Sequence, residues 1–344
     1  MRFGFATIPA QPFEALCDLV RFAEGLGFAR VWVPDQSFFK DPFAVLGALA
    51  QRVSRIGLAL GVVNPYTRHP AIVARGAATL AELSGGRFVL AYGAGNRREL
   101  LERLGLERSN PGGRCRDAIH IIRQLLAGSD VTRPGPLWPM EGVHLQMPVA
   151  PPVPLYMAAR GRQVLRAAGE VADGVILGNL LTPDVLRLAL AEIRQGAEAA
   201  GRDPARIAAI GWATCIVTDD PGPACEMLRT SVGHSVANSP DTVLDALGFE
   251  PGAVATIRAA YEAGGPSATV SHVNAEMVNR FNLVDTPRRL VTRLRALTEW
   301  GITEFTVLMP AAGAGGSHGV PAFDHRKNLE RFAAEVAPYL SNEQ

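Results

Sequence analysis

The chain has 344 residues, 48% of them hydrophobic, with a formal net charge of +1. That length holds one large α/β barrel or two ordinary domains, and no apolar run reaches the roughly 18 residues a membrane span needs. Lys40 and Lys327 are the only lysines among the basic residues, and acids balance the arginines, so nothing in the charge points to a nucleic-acid partner.

The start, M-R-F-G-F-A-T-I-P, runs directly into a strand pattern over 2–8 without the apolar core of a signal peptide, so a cytoplasmic location is expected. A helix follows over 12–26, then a strand over 29–34 that ends in Asp35-Gln36, then a helix over 42–52. The stretch 56–70, I-G-L-A-L-G-V-V-N-P-Y-T-R-H-P, opens with an apolar run suited to a strand buried on both faces. It breaks at Asn64-Pro65 and turns a polar corner through Tyr66, Thr67, Arg68 and His69. A helix over 70–83 restarts with Pro70 at its first position.

Ser84-Gly85-Gly86 leads into a strand over 87–92, which ends in Gly93-Ala94-Gly95-Asn96. Helical pattern returns over 97–104 and 113–126. Residues 129–152 are rich in Pro and Gly with short alternating segments, which predicts a hairpin excursion. A strand over 154–158 precedes Ala159-Arg160-Gly161 and a helix to about 171. A strand over 174–177 ends at Gly178-Asn179, with Thr182 as the expected N-cap of a helix to about 200. A strand spans 207–217, a helix starts near Pro223, and 234–285 fits no repeat and reads as an insertion over one face. A helix over 286–300, a strand over 303–309, a glycine-rich loop at 311–319 and a closing helix to about 339 complete the chain. Eight β-α units with two excursions predict a single domain, 1–344, of (β/α)8 TIM-barrel class, with a doubly wound open sheet as the alternative.

In parallel α/β folds ligands sit at the carboxyl ends of strands, so the polar residues there are the candidates. Ala158-Ala159-Arg160-Gly161-Arg162 opens a helix, whose free backbone N–H groups and positive dipole end suit a phosphate, with Arg160 and Arg162 adding charge. An ordinary turn with solvated arginines reads equally from these residues. Asn96 suits a ring carbonyl or a turn. Asp35 suits the barrel mouth or the N-cap of the next helix, and His69 suits surface or packing duty. Gly93-Ala94-Gly95-Asn96 begins like a dinucleotide fingerprint, but position 98 is Arg, so the Rossmann pattern fails. The four cysteines are far apart with no zinc spacing, which predicts buried thiols and no metal site.

Five segments taken in order resemble the luciferase-like family of flavin- and deazaflavin-dependent oxidoreductases. They are L-G-V-V-N-P-Y-T-R-H-P (60–70), A-T-L-A-E-L-S-G-G-R-F-V-L-A-Y-G-A-G (78–95), P-L-Y-M-A-A-R-G (154–161), A-G-E-V-A-D-G-V-I-L-G-N (168–179) and E-M-V-N-R-F-N-L-V-D-T-P (276–287). The chain is most similar to the methylenetetrahydromethanopterin reductase branch. The resemblance implies a (β/α)8 barrel, and a non-prolyl cis peptide at Gly61-Val62 whose role in the family is to press on the back of the tricyclic ring. It implies that Asn64, Gly93, Asn96, Gly178 and Asn179 line the ring edge or tail, and that Ala158, Ala159, Arg160, Gly161 and Arg162 hold the cofactor phosphate. The cofactor implied by this branch is coenzyme F420, with hydride transfer to or from a small organic substrate.

Other branches use FMN and oxygen as monooxygenases, and the family also contains non-catalytic flavin-binding proteins. Both remain alternatives. Many deazaflavin relatives carry Asp-His after the second strand, where this chain has Asp35-Gln36. Glutamine is neither acid nor base, and Asp35, which matches the family carboxylate, is the candidate for ring contact or proton handling beside Gln36 at the catalytic position. Relatives are commonly homo-oligomers, and the same is expected here.

Overall fold

The computed structural model describes residues 1–148, 151–179, 181–310 and 323–340. The glycine-rich loop expected at 311–319 lies outside the described residues. In chain order the first half contains β1 (Arg2–Ala6), α1 (Phe13–Gly25), β2 (Arg30–Val33), α2 (Pro42–Ala50), β3 (Gly57–Val63), α3 (Pro70–Leu83), β4 (Phe88–Tyr92) and α4 (Pro111–Leu126). There follow β5 (Val131–Arg133), β6 (Met140–Val143), β7 (Leu155–Ala158), α5 (Arg162–Val171), β8 (Gly174–Gly178) and α6 (Pro183–Ala199). The last part contains β9 (Ala208–Val217), α7 (Pro221–Asn238), α8 (Asp241–Ala246), α9 (Pro251–Gly264), α10 (Ala275–Phe281), β10 (Leu283–Asp285), α11 (Pro287–Glu299), β11 (Glu304–Leu308) and α12 (His325–Glu335). β1, β2, β3, β4, β7, β8, β9 and β11 are parallel strands alternating with helices, the (β/α)8 TIM-barrel class.

Local chemistry explains most boundaries. Asp41, His69, Asn110 and Asp220 each stand before a proline and accept a backbone N–H of the helix that follows. At α2 the Asp41 carboxylate takes two, from Phe43 and Ala44 at 2.9 and 3.1 Å. The hairpin expected in 129–152 is the antiparallel pair β5–β6. Three expectations are corrected. The helix over 97–104 is a π-helical turn, Arg97–Leu101, followed by one 3-10 turn. Thr182 precedes α6, but its buried hydroxyl has no hydrogen-bond partner among the described residues, so it is not a side-chain cap. The insertion expected from 234 begins inside α7 and ends on a strand, β10, parallel to β9. Three residues are too few to show a period.

The chain forms two compact units. The first, Ile8–Ile176 with Ala191–Ala209, carries β2-β3-β4-β7 and the paired part of β8 in that order. Val31, Trp32, Leu58, Leu60, Phe88, Leu90 and Met157 are fully or almost fully buried, as expected of parallel strands covered on both faces. The Glu24 carboxylate closes the approach to β3 by accepting from the N–H groups of Ser54, Arg55 and Ile56 at 2.7–3.1 Å. α5 crosses the end of α6 at backbone contact. A Cβ on Gly196 would overlap the Arg166 carbonyl, and one on Gly169 the Ile193 carbonyl.

The second unit, Met1–Thr7, Leu177–Leu190 and Ile210–Gln344, carries β10-β9-β11-β1. Phe332 of α12 packs edge-on to Phe3 at 5.2 Å and stacks over Phe305 at 6.3 Å. Asn328 is buried with both ends of its amide bonded: it donates to the Cys215 carbonyl and accepts from the Val217 N–H, at 2.9 and 3.0 Å. Residues of α7 through α10, including Leu228, Val232, Leu244, Ile257 and Phe281, share one core cluster with Val185 of α6, Ile216 of β9 and Val284 of β10. The excursion is therefore a folded helical subassembly. All four cysteines are buried thiols, and burial pushes Cys115 and Cys215 up to about 12.

Candidate functional site

Strand register decides which candidates meet. Val63 pairs with Tyr92, and Tyr92 pairs with Met157. The next residues along β3, β4 and β7 are Asn64, Gly93 and Ala158, so three candidates distant in sequence form one row at the carboxyl ends of adjacent strands. At about 4.8 Å per strand the row spans about 10 Å. Ala158 pairs in turn with Ile176, two residues before Gly178.

The Gly61–Val62 peptide is cis, as the resemblance implied, and the register of β3 against β4 shifts there between Gly61 and Val63. The bulge explains the glycine at 93: a Cβ at that position would lie 2.7 Å from Val62 Cγ2. Asn64 is buried and turns the chain after the bulge, its side-chain oxygen accepting from the N–H groups of Tyr66 and Thr67, both at 3.0 Å. This is an Asx turn. The Tyr66 hydroxyl donates to the Ser109 carbonyl at 2.8 Å and Arg114 lies over its ring, which fastens the corner to the start of α4. Asn96 is half-buried and its carbonyl accepts from the Leu101 N–H, which opens the π-helical turn. Asn179 has a φ of 57° and donates its N–H to the Trp212 carbonyl at 2.7 Å.

At the end of β2, Asp35 is neither a helix cap nor a free acid. Arg68, from the corner after β3, donates to both its oxygens at 2.7 and 3.2 Å. The same guanidinium donates to Asp41 at 2.6 Å and lies 5.2 Å from the Phe43 ring centroid. These bonds, the one to Asp35 first, hold the Arg68 cation well above its ordinary range. Gln36 is half-buried, and its carbonyl accepts from the Phe39 N–H. The cap of α2 is Asp41, legible from Asp41-Pro42; the Arg68 clamp had no local signal.

His69 caps α3, its Nδ1 accepting from the Ala71 N–H at 3.2 Å, and burial lowers its pKa. An accepting Nδ1 places the proton of the neutral ring on Nε2. Trp138, at the tip of the β5–β6 hairpin, meets the imidazole edge-on at 6.4 Å. Tyr92 ends β4 with its hydroxyl buried and without a partner among the described residues, and desolvation pushes its phenol far above the ordinary value.

The turn after β7 divides the two arginines. Arg162 donates to the buried Glu192 at 2.7 Å, and Arg166 donates to its other oxygen. Burial alone would raise the Glu192 carboxyl; the two arginines outweigh it and hold it low. Arg162 is thereby drawn onto α6. Arg160 reaches solvent and forms no hydrogen bond or ion pair among the described residues, while surrounding protein lowers its pKa by desolvation. Gly161, the N-cap of α5, offers no side chain to the first N–H groups, and a Cβ there would meet nothing. An uncapped helix N-terminus leaves its first N–H groups without a side-chain acceptor and carries the positive end of the helix dipole.

A cavity of about 630 Å³, lined by His120, Arg123, Asp173 and Arg202 among others, lies elsewhere, at the amino end of β8. There Arg123 and Arg202 bind the carbonyls of Val171, Gly169 and Ala172 at the close of α5, a capping duty. No helix of the described residues is long and apolar enough to cross a membrane, and no three metal-ligating side chains come together among them.

Comparison with known proteins gives consistent findings. A family model described as luciferase-like monooxygenase matches residues 1–304. The 5,10-methylenetetrahydromethanopterin reductase of Archaeoglobus fulgidus is 31% identical over 99% of this chain and 100% of its own length. That of Methanolobus tindarius is 33% identical over 90% and 94%. The solved coenzyme F420 dependent tetrahydromethanopterin reductase of Methanopyrus kandleri is similar in structure, with a TM-score of 0.85 at 27% identity, covering 98% of this chain and 99% of that one.

Proposed function

This chain belongs to the luciferase-like family, and from that premise we propose that it is a coenzyme F420-dependent oxidoreductase acting on a small organic molecule. The observation that carries the reading is the exposed Arg160 beside the uncapped N-terminus of α5, together with the row Asn64, Gly93 and Ala158 on adjacent strands. One end suits a phosphorylated tail, and the other is a strand-end floor, raised at the Gly61–Val62 bulge, on which a tricyclic ring can lie. When bound, the deazaflavin supplies a ring carbon that gives or takes hydride.

The protein's part is orientation and exclusion of water. Arg160 and the free N–H groups of Arg162, Gln163 and Val164 hold the anionic tail, while the Arg162 side chain braces α5 against Glu192. The Gly61–Val62 bulge and Gly93 shape the floor, Asn96 follows the end of β4, and Trp138 walls the corner at His69. Asp35 acts by position: with both oxygens on Arg68, it fixes the loop that presents Gln36. Gln36 offers an amide that donates and accepts hydrogen bonds without titrating. The enzyme works as a homo-oligomer in the cytoplasm.

The test is fluorescence titration of the purified protein with coenzyme F420 and, in parallel, with FMN. Micromolar or tighter binding of F420 alone supports the proposal. A preference for FMN moves the chain to the oxygen-dependent monooxygenases, whose solved members share the fold, as the Streptomyces bottropensis enzyme does at a TM-score of 0.71. Tight F420 binding without turnover of any reducible substrate favours a cofactor-binding protein.

A further inference from the structure

Lys40 stands out twice. It is one of two lysines in a chain whose other basic residues are arginines, and its ammonium group meets three consecutive backbone carbonyls. Nζ donates to Pro9 at 3.2 Å, Ala10 at 3.3 Å and Gln11 at 2.8 Å. Three donors on one atom meet three converging acceptors. A guanidinium spreads its donors across a plane and does not fit a converging triad, whereas an ammonium is a compact point charge. The carbonyls belong to the loop after β1, and Lys40 belongs to the loop after β2.

We propose that the carbonyl oxygens of Pro9, Ala10 and Gln11 form a receptor for a small monovalent cation, which Lys40 fills with its own tethered ammonium group. A ring of carbonyl oxygens replaces the hydration of such an ion, and only a small one lets all three oxygens approach. Two of the three bonds, to Ala10 and Gln11, are exposed, and Lys40 also lines a cavity of about 440 Å³ with Phe13, Asp41, Ala44, Val45 and Ala48. Solvent therefore reaches the carbonyls directly when the lysine is shortened.

The receptor matters because of what Lys40 is joined to. Its neighbour Asp41 is held by Arg68, which also holds Asp35. Lys40 and Arg68 therefore lace the loops after β1, β2 and β3 into one body at the carboxyl ends of the strands. The effect of Lys40 on cofactor affinity rests on the function proposed above; the receptor itself does not.

Removal of the tether exposes the receptor. Lys40→Ala is melted in equal concentrations of ammonium chloride, potassium chloride and tetramethylammonium chloride, beside the unaltered protein. The Tm of the variant should fall by about 2–4 °C in tetramethylammonium, which is too large to enter, and ammonium or potassium should restore at least half of the loss. The unaltered protein should melt at one temperature in all three salts. Lys40→Arg keeps the charge but blocks the cavity, and should melt below the unaltered protein with no response to the cation.

One temperature for Lys40→Ala in the three salts, an equal response in the unaltered protein, or a Lys40→Arg protein as stable as the parent would each overturn the proposal. If Lys40→Ala does not fold, Lys40→Arg decides alone: destabilisation supports the receptor, parental stability refutes it. F420 titration of Lys40→Ala in the same salts reads the consequence. Cation-dependent melting without F420 binding to the parent would leave the receptor standing and remove the cofactor reading.

Discussion

Arg68 is the most exposed test of the site's architecture, because one guanidinium serves two carboxylates and an aromatic ring. In Arg68→Met the stem packing survives while every polar contact is lost. The Arg68–Asp41 contact is half-exposed, with the Asp41 side chain at 47%, and surface pairs of this kind contribute about 0.2–1 kcal/mol. Asp35 differs: its side chain is 15% exposed and both its oxygens accept from Arg68. A fully buried pair broken on one side costs about 3–5 kcal/mol; solvent still reaching Asp35 and Arg68 reduces this to about 2 kcal/mol. Loss of the cation over Phe43 adds about 0.5–1 kcal/mol, so urea unfolding at pH 7 should show a loss of about 3 kcal/mol. A cycle with Asp35→Asn should return a coupling near 2 kcal/mol, since the amide leaves no uncompensated charge.

The pH dependence carries a sign that checks the cause. Burial raises the Asp41 carboxyl, but the bonds from Arg68 and the α2 N–H groups outweigh it and hold the folded value below the ordinary range. A depressed carboxyl contributes stability above its unfolded value, about 3.9, and loses it as pH falls through the folded one. Arg68→Met lacks its share of that contribution at neutral pH, so the gap between parent and variant should narrow as pH falls below about 4. A loss under about 1 kcal/mol, a coupling near zero, or a gap that stays constant with pH would refute the reasoning.

Three further expectations use the same structure. Arg160→Ala should weaken F420 binding by about 10- to 100-fold and flatten its salt dependence, while Arg162→Ala, whose head group already serves Glu192, should weaken it far less; equal losses in the two titrations would reverse the assignment. Gly196→Ala should destabilise by about 1–3 kcal/mol in urea, because the new methyl overlaps the Arg166 carbonyl where α5 and α6 touch. Glu24→Gln should cost about 1 kcal/mol at pH 7. Burial raises the Glu24 carboxyl but three N–H groups outweigh it, so the folded value is low and its contribution is lost as pH falls. The difference from the parent should therefore shrink in thermal melts as pH falls below the ordinary carboxylate range, about 4.

The alternation of apolar strands and helices, the proline-marked helix starts at Pro42, Pro70 and Pro287, and the hairpin in 129–152 were all legible along the chain. Each depends on residues within a turn or two of one another. The same holds for the open N-terminus of α5, where Gly161 declares itself by offering no cap. Partners were not legible. Asp35 reads as a mouth carboxylate or a cap until Arg68, 33 positions away, is seen on both its oxygens. Arg160 and Arg162 look alike in sequence and are separated only because Glu192 faces one of them from α6. Lys40 reads as one more surface charge until the three carbonyls are found around it.

Local pattern and capping determine which elements form, because those energies come from neighbours along the chain. The meeting of Asn64, Gly93 and Ala158 in one row, and the choice of which charge each ion pair satisfies, depend on strand register and helix crossing. Those are settled by long-range packing that no stretch of sequence carries by itself.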